Sequence, residues 1–170
     1  MKTTTQTYLF SGLQAAINGE NLCVQTWLGF GDTLFLGLGT SVMAHVPPGG
    51  KHPIPPYEIQ TELSDWIVYR DLQVIGSSHD DPRAQEASDI LVGKIALEFR
   101  FSPDVRHLSV VFADGIKLEI VPYEKFEEGY DDFDIWNLRL TDGRYLTVCN
   151  DLTIKVQEGD CPPPPNIPSA

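Results

Sequence analysis

The chain has 170 residues, 42% of them hydrophobic, with a formal net charge of −12 and a pI near 4.5. That length suits one domain of ordinary size or two small fused units, and the apolar fraction is enough for a core. The acid excess repels phosphate backbones and argues against nucleic acid as a partner, and no stretch reaches the roughly 18 apolar residues of a membrane span.

In chain order, "MKTTTQTYLF" has one Lys and no apolar h-region, so no secretory leader is read and a cytoplasmic protein is expected. "QTWLGFGDTLFLGLG" (25–39) alternates on both sides of Gly31-Asp32, which predicts a hairpin with a two-residue II′-type turn. "HVPPGGKHPIPPYE" (45–58) holds five prolines and is predicted as a loop. "DWIVYRDLQVIGSS" (65–78) returns to a period of two. "DDPRAQEASDIL" (80–91) carries the one helical signal, near 82–90, with Asp81 as cap and Pro82 in the first position. "HLSVVF" (107–112) and "IKLEIV" (116–121) flank Asp114-Gly115, a pair that tolerates the positive φ of a two-residue hairpin turn. "DIWNLRLTDGRYLTV" (134–148) has the same form around Asp142-Gly143, and "CPPPPNIPSA" (161–170) is a proline-rich tail.

The halves echo each other. Residues 30–38 lie over 112–120, matching Phe30 to Phe112, Asp32 to Asp114 and Leu36 to Leu118, while Trp66 lies over Trp136. The expected fold is mostly β: two pseudo-repeated antiparallel β-meanders, 1–80 and 81–160, packed as one sandwich or barrel-like sheet, followed by the tail. Trp66 and Trp136 are expected in the core, and Trp27 has no clear place in the alternation.

The run "LVGKIALEF…HLSVVFADGIKLEI…DIWNLRLTDGRYLTV" resembles small uncharacterised bacterial β-proteins, some similar to immunity proteins that accompany polymorphic toxins. The resemblance covers roughly residues 90–150, with a degraded form over 9–76. It implies a β fold and supplies no catalytic residues.

Chemistry is sparse. No nucleophile-elbow, zinc-protease or phosphate-loop pattern occurs, and no cofactor or metal is expected. Cys23, Cys149 and Cys161 form no CxxC pair, and the first two are expected as buried thiols. His45 and His52 lie in the proline segment without a nearby carboxylate or thiol, and His107 opens a strand. His79, Asp80 and Asp81 are read as a polar turn before the helix, with acid–base work as the sharper reading.

The segment "YEKFEEGYDDFD" (123–134) differs from the rest. Glu124, Glu127, Glu128, Asp131, Asp132 and Asp134 interleave with Phe126, Tyr130 and Phe133. Carboxylates attract a basic partner over distance and aromatic rings supply anchors that bury on contact. The expectation is a non-enzymatic, immunity-type protein that binds a basic protein through these nine residues, with a small-molecule or carbohydrate-binding β-module as the alternative.

Overall fold

A computed structural model describes residues 21–40, 42–45, 51–78, 82–102, 107–123, 134–141, 143–151 and 153–157. The strands are β1 (Cys23–Leu28), β2 (Leu34–Leu38), β3 (Val42–His45), β4 (Lys51–Ile54), β5 (Tyr57–Thr61), β6 (Ser64–Arg70) and β7 (Gln73–Ser77) in the first half. After helix α1 (Ala84–Asp89) come β8 (Ala96–Ser102), β9 (His107–Phe112), β10 (Ile116–Pro122), β11 (Asp134–Arg139), β12 (Tyr145–Cys149) and β13 (Ile154–Gln157). They form two antiparallel sheets that pack as a sandwich and do not close into a barrel, with β3 and β4 as a separate ribbon.

Sheet one runs β1-β2-β5-β11-β12-β13 and sheet two runs β7-β6-β10-β9-β8. Each half of the chain builds three neighbouring strands of one sheet, then crosses and adds its remaining strands to the other. The order β1-β2-β5-β11-β12 thus maps onto β8-β9-β10-β6-β7. In this mapping β10 corresponds to β5. The local match of residues 30–38 with 112–120 lays β2 on β10 instead, one strand out of step. Alternation alone does not distinguish neighbouring strands of a meander, and long-range pairing decides the correspondence.

The core follows the period of two. In β10, Ile116, Leu118 and Ile120 point inward while Lys117, Glu119 and Val121 are half-buried outside. Trp66 and Trp136, each the third residue of its strand, are fully buried, opposite Ile120 and Thr61 respectively. Phe101 of sheet two meets Trp136 of sheet one edge-on, with ring centroids 5.7 Å apart. Helix α1 packs on β1 and β7. A Cβ on Gly76 would lie 2.8 Å from Ala87 Cβ, so the bare backbone of β7 admits the helix.

Four details differ from the sequence reading. The Gly31-Asp32 hairpin has a three-residue loop, Phe30–Asp32, closed by the Gly29 N–H on the Thr33 carbonyl at 2.8 Å; Gly31 and Asp32 both take positive φ, 68° and 60°. The β11–β12 hairpin also closes one residue wider than two: Leu140 N–H donates to Arg144 O, and Gly143 takes φ 85°. Gly143 sits third in its loop, where a three-residue hairpin takes a left-handed residue, while in the first loop that third position is Asp32. The proline segment is not all loop, since it holds the last residue of β3, all of β4 and the start of β5, and its Pro53 lies opposite Met43 of β3. A two-stranded ribbon has free edges, where a missing N–H costs no ladder bond. Helix α1 begins at Ala84, with Arg83 at the cap position and no side-chain cap. Asp81, the expected cap, lies outside the described residues.

The face of sheet one away from Trp136 is also shielded. Asn137, Arg139 and Thr147 are buried there, so β11 and β12 are covered on both faces. Pro55 lies over Gly37, where a Cβ would approach the proline ring to 2.7 Å, and its carbonyl accepts from Arg139 Nη2 at 2.9 Å. Burial raises the Glu58 carboxyl above its ordinary range, and Arg139, opposite it in the ladder, pulls it back.

Candidate functional site at the crossover corner

The acid–aromatic segment joins β10 to β11, one of the two connections that carry the chain from sheet to sheet. Of its expected site residues, Asp134 is the first residue of β11; Glu124, Phe126, Glu127, Glu128, Tyr130, Asp131, Asp132 and Phe133 lie outside the described residues. His79, Asp80 and Asp81 also lie outside them.

Both roots of the segment meet one residue. Leu63, in the short β5–β6 crossover, accepts from Tyr123 N–H at 3.4 Å and donates its own N–H to Asp134 O at 3.2 Å. Its neighbours complete the clasp: Glu62 N–H and the Ser64 hydroxyl both donate to the Ile135 carbonyl, each at 2.9 Å. Tyr123 and Asp134, the described residues on either side of 124–133, are therefore both held by the other crossover.

The corner is acidic in its own right. Burial raises the Glu62 carboxyl, and the like charge of Asp134 raises it further. Burial raises Asp134 too, opposed by the Lys155 ammonium and a weak bond from the Cys149 thiol, 3.9 Å away. Tyr123 is raised by burial and by the Asp65 carboxylate. Asp65 accepts from the Ser78 hydroxyl at 2.9 Å, and Gln60 Nε2 donates to Glu62 at 2.5 Å. Glu62 and Asp65 extend the acidic character of the segment onto the β5–β6 crossover and the start of β6. Sequence reading did not single them out, because spacing along one strand gives no hint that the segment's two ends close on Leu63.

The other sequence candidates are dispersed. Cys23 and Cys149 are buried free thiols. The proline segment joins β5 at the end away from Leu63, so it does not share this corner. His107 places Nε2 3.7 Å from Glu119, half-buried on the outer face of sheet two. Trp27 stands on the outer face of sheet one, stacked on Phe35 at 3.5 Å and 46% exposed. Among the described residues no group of three or more His, Cys, Asp or Glu side chains is arranged to hold a metal ion. No helix among them is long and apolar enough to cross a membrane.

No family model, curated protein or solved structure matches this chain.

Proposed function

We propose that this chain is a non-enzymatic binding protein whose crossover corner captures a basic protein, acting in the cytoplasm as an immunity-type inhibitor of a toxin or effector. The observation that carries the reading is the clasp at Leu63. It plants an acid–aromatic segment on a corner that already holds Glu62, Asp65 and Asp134. Fixed carboxylates beside an insertion rich in acids and rings combine long-range attraction with groups that bury on contact. A net charge of −12 favours a basic partner throughout the encounter.

The test is affinity capture with the full chain, followed by titration of the protein retained. The expected partner is basic, and its affinity falls by tenfold or more as salt rises from about 0.05 M to about 0.5 M. Changing Glu127, Glu128, Asp131 and Asp132 to Ser abolishes the complex. Undiminished binding by that variant overturns the reading.

A second reading, a carbohydrate or small-molecule module, has one observation in its favour: Trp27 is half-exposed and Phe30 fully so, close together at the β1–β2 hairpin. Exposed rings at a sheet end suit stacking on a sugar face. Trp66 and Trp136 are buried and take no part. Quenching of Trp27 fluorescence by a sugar, lost in Trp27→Ala, separates this reading from the first.

A further inference from the structure

At the far end of the β6–β10 pair, about 20 Å along the strands from Leu63, two hairpin tips are tied together. The Asp71 N–H donates to the Gly115 carbonyl at 2.8 Å. Asp71, Asp114 and Gly115 all take positive φ, 53°, 62° and 71°. The Asp71 carboxylate leans over Gly115 so closely that a Cβ there would lie 2.2 Å from Oδ1. The side chain is thus held by a turn that costs backbone strain to form.

Beside it opens a groove of about 320 Å³, lined by Tyr69, Asp71, Leu72, Gly115, Lys117 and Glu119. Its charged groups are not equivalent. Lys117 is engaged, 2.7 Å from Glu119 and 4.9 Å from the Tyr69 ring centroid. Asp114, outside the groove, is paired with Lys94 at 2.6 Å. The Asp71 carboxylate has no hydrogen bond or ion pair among the described residues. Leu72 stands at the tip 95% exposed, in a turn position that polar residues or glycine ordinarily fill. Val74, opposite Tyr69 in the ladder, extends the apolar lip.

A free carboxylate next to an apolar wall and a tyrosine ring matches an aliphatic stem that ends in a cation. A guanidinium suits it better than an ammonium, since it bonds a carboxylate through two N–H groups in a fixed fork. We infer that this groove receives an arginine side chain of a protein partner, with the guanidinium on Asp71 and the stem between Leu72 and Tyr69. The occupant's identity rests on the basic-partner reading above. The site itself is separate from the crossover corner.

The test is a titration of the ¹⁵N-labelled full chain with acetyl-Gly-Arg-Gly-amide, followed by NMR. The controls are the citrulline peptide, which keeps the shape and loses the charge, and Asp71→Asn, which tolerates positive φ. The expected result is saturable shifts at Asp71, Leu72, Gly115 and Lys117 with the arginine peptide, at least fivefold weaker with citrulline and in Asp71→Asn. Equal shifts with citrulline, or unchanged affinity in Asp71→Asn, overturn the inference. Shifts confined to Tyr123 and Asp134 overturn it as well, while leaving the basic-partner reading intact.

Discussion

Trp66 donates its indole N–H to the backbone carbonyl of Asp32, 2.7 Å away. The tryptophan belongs to sheet two and the carbonyl to the β1–β2 turn of sheet one, so a single bond fastens a left-handed turn to the opposite layer. Trp66→Phe keeps much of the apolar contact and removes the bond, which is expected to cost about 1–3 kcal/mol. Trp66→Ala adds a cavity, for a total of about 3–5 kcal/mol. Urea unfolding checks both. A Phe variant as stable as the parent would show that the bond contributes nothing net.

Gly115 and Asp71 form a coupled pair. Gly115→Ala forces a Cβ onto Asp71 Oδ1 at a residue with φ 71°, and is expected to cost about 1–3 kcal/mol. Asp71→Gly removes the obstructing carboxylate and suits the positive φ at that position. In that background the cost of Gly115→Ala falls toward the backbone term alone, about 1 kcal/mol. A double-mutant cycle on chemical unfolding reads the coupling, and additive costs would dismiss the contact.

Acid pH stabilises the crossover corner. Glu62 and Asp134 have folded-state pKa values raised chiefly by burial, and so does Glu58 under Pro55. A raised carboxyl takes up its proton in the folded state first, so its ionised form weakens folding at neutral pH. The deficit is relieved as pH falls through the raised values toward the ordinary carboxylate range, about 4–4.5. Glu62→Gln is therefore expected to be more stable than the parent at pH 7 and to gain less on acidification. Thermal midpoints measured between about pH 7 and pH 5 test the sign. A parent that loses stability across that interval, with Glu62→Gln losing the same, would contradict the assignment.

The buried thiols are expected to be inert. Burial pushes the Cys23 thiol up to about 12, against a lesser opposing bond to the Gln25 carbonyl, and Cys149 is raised in the same way. Alkylation at pH 8 should leave both unmodified in the native state and label both in denaturant. Rapid labelling of Cys23 in the folded protein would contradict its burial.

Strand identity was legible in the residues because a half-buried strand has to alternate: β9 and β10 read directly, and Asp114-Gly115 marked a turn whose φ values, 62° and 71°, are those the pair was expected to take. Loop length was less legible. A glycine in a hairpin signals a left-handed residue but not whether the loop has two residues or three, so the turns at Gly31, Gly115 and Gly143 are each one residue wider than expected. The covered outer face was hidden: at Arg139 it involves Pro55, which folds back over Gly37 and lies more than eighty residues earlier in the chain. The site was half legible. Asp134 stood out in an acidic run, but Glu62 and Asp65 joined it only through a crossover that no local pattern specifies. Asp71 and Leu72 passed as an ordinary turn, and the exposure of Leu72 is a property of the folded tip.

The strand exchange between halves governs how the molecule can come apart. The seams β5–β11 and β6–β10 each join strands of opposite halves, so neither half carries a complete sheet. As the chain emerges from the ribosome, β5 and β6 wait with open edges until β10 and β11 have been made. Those edges offer themselves to whichever second half is nearest, and at high concentration that half can belong to another copy. The architecture that joins one chain to itself is also a template for two chains to trade halves, with every seam preserved and only the ownership changed.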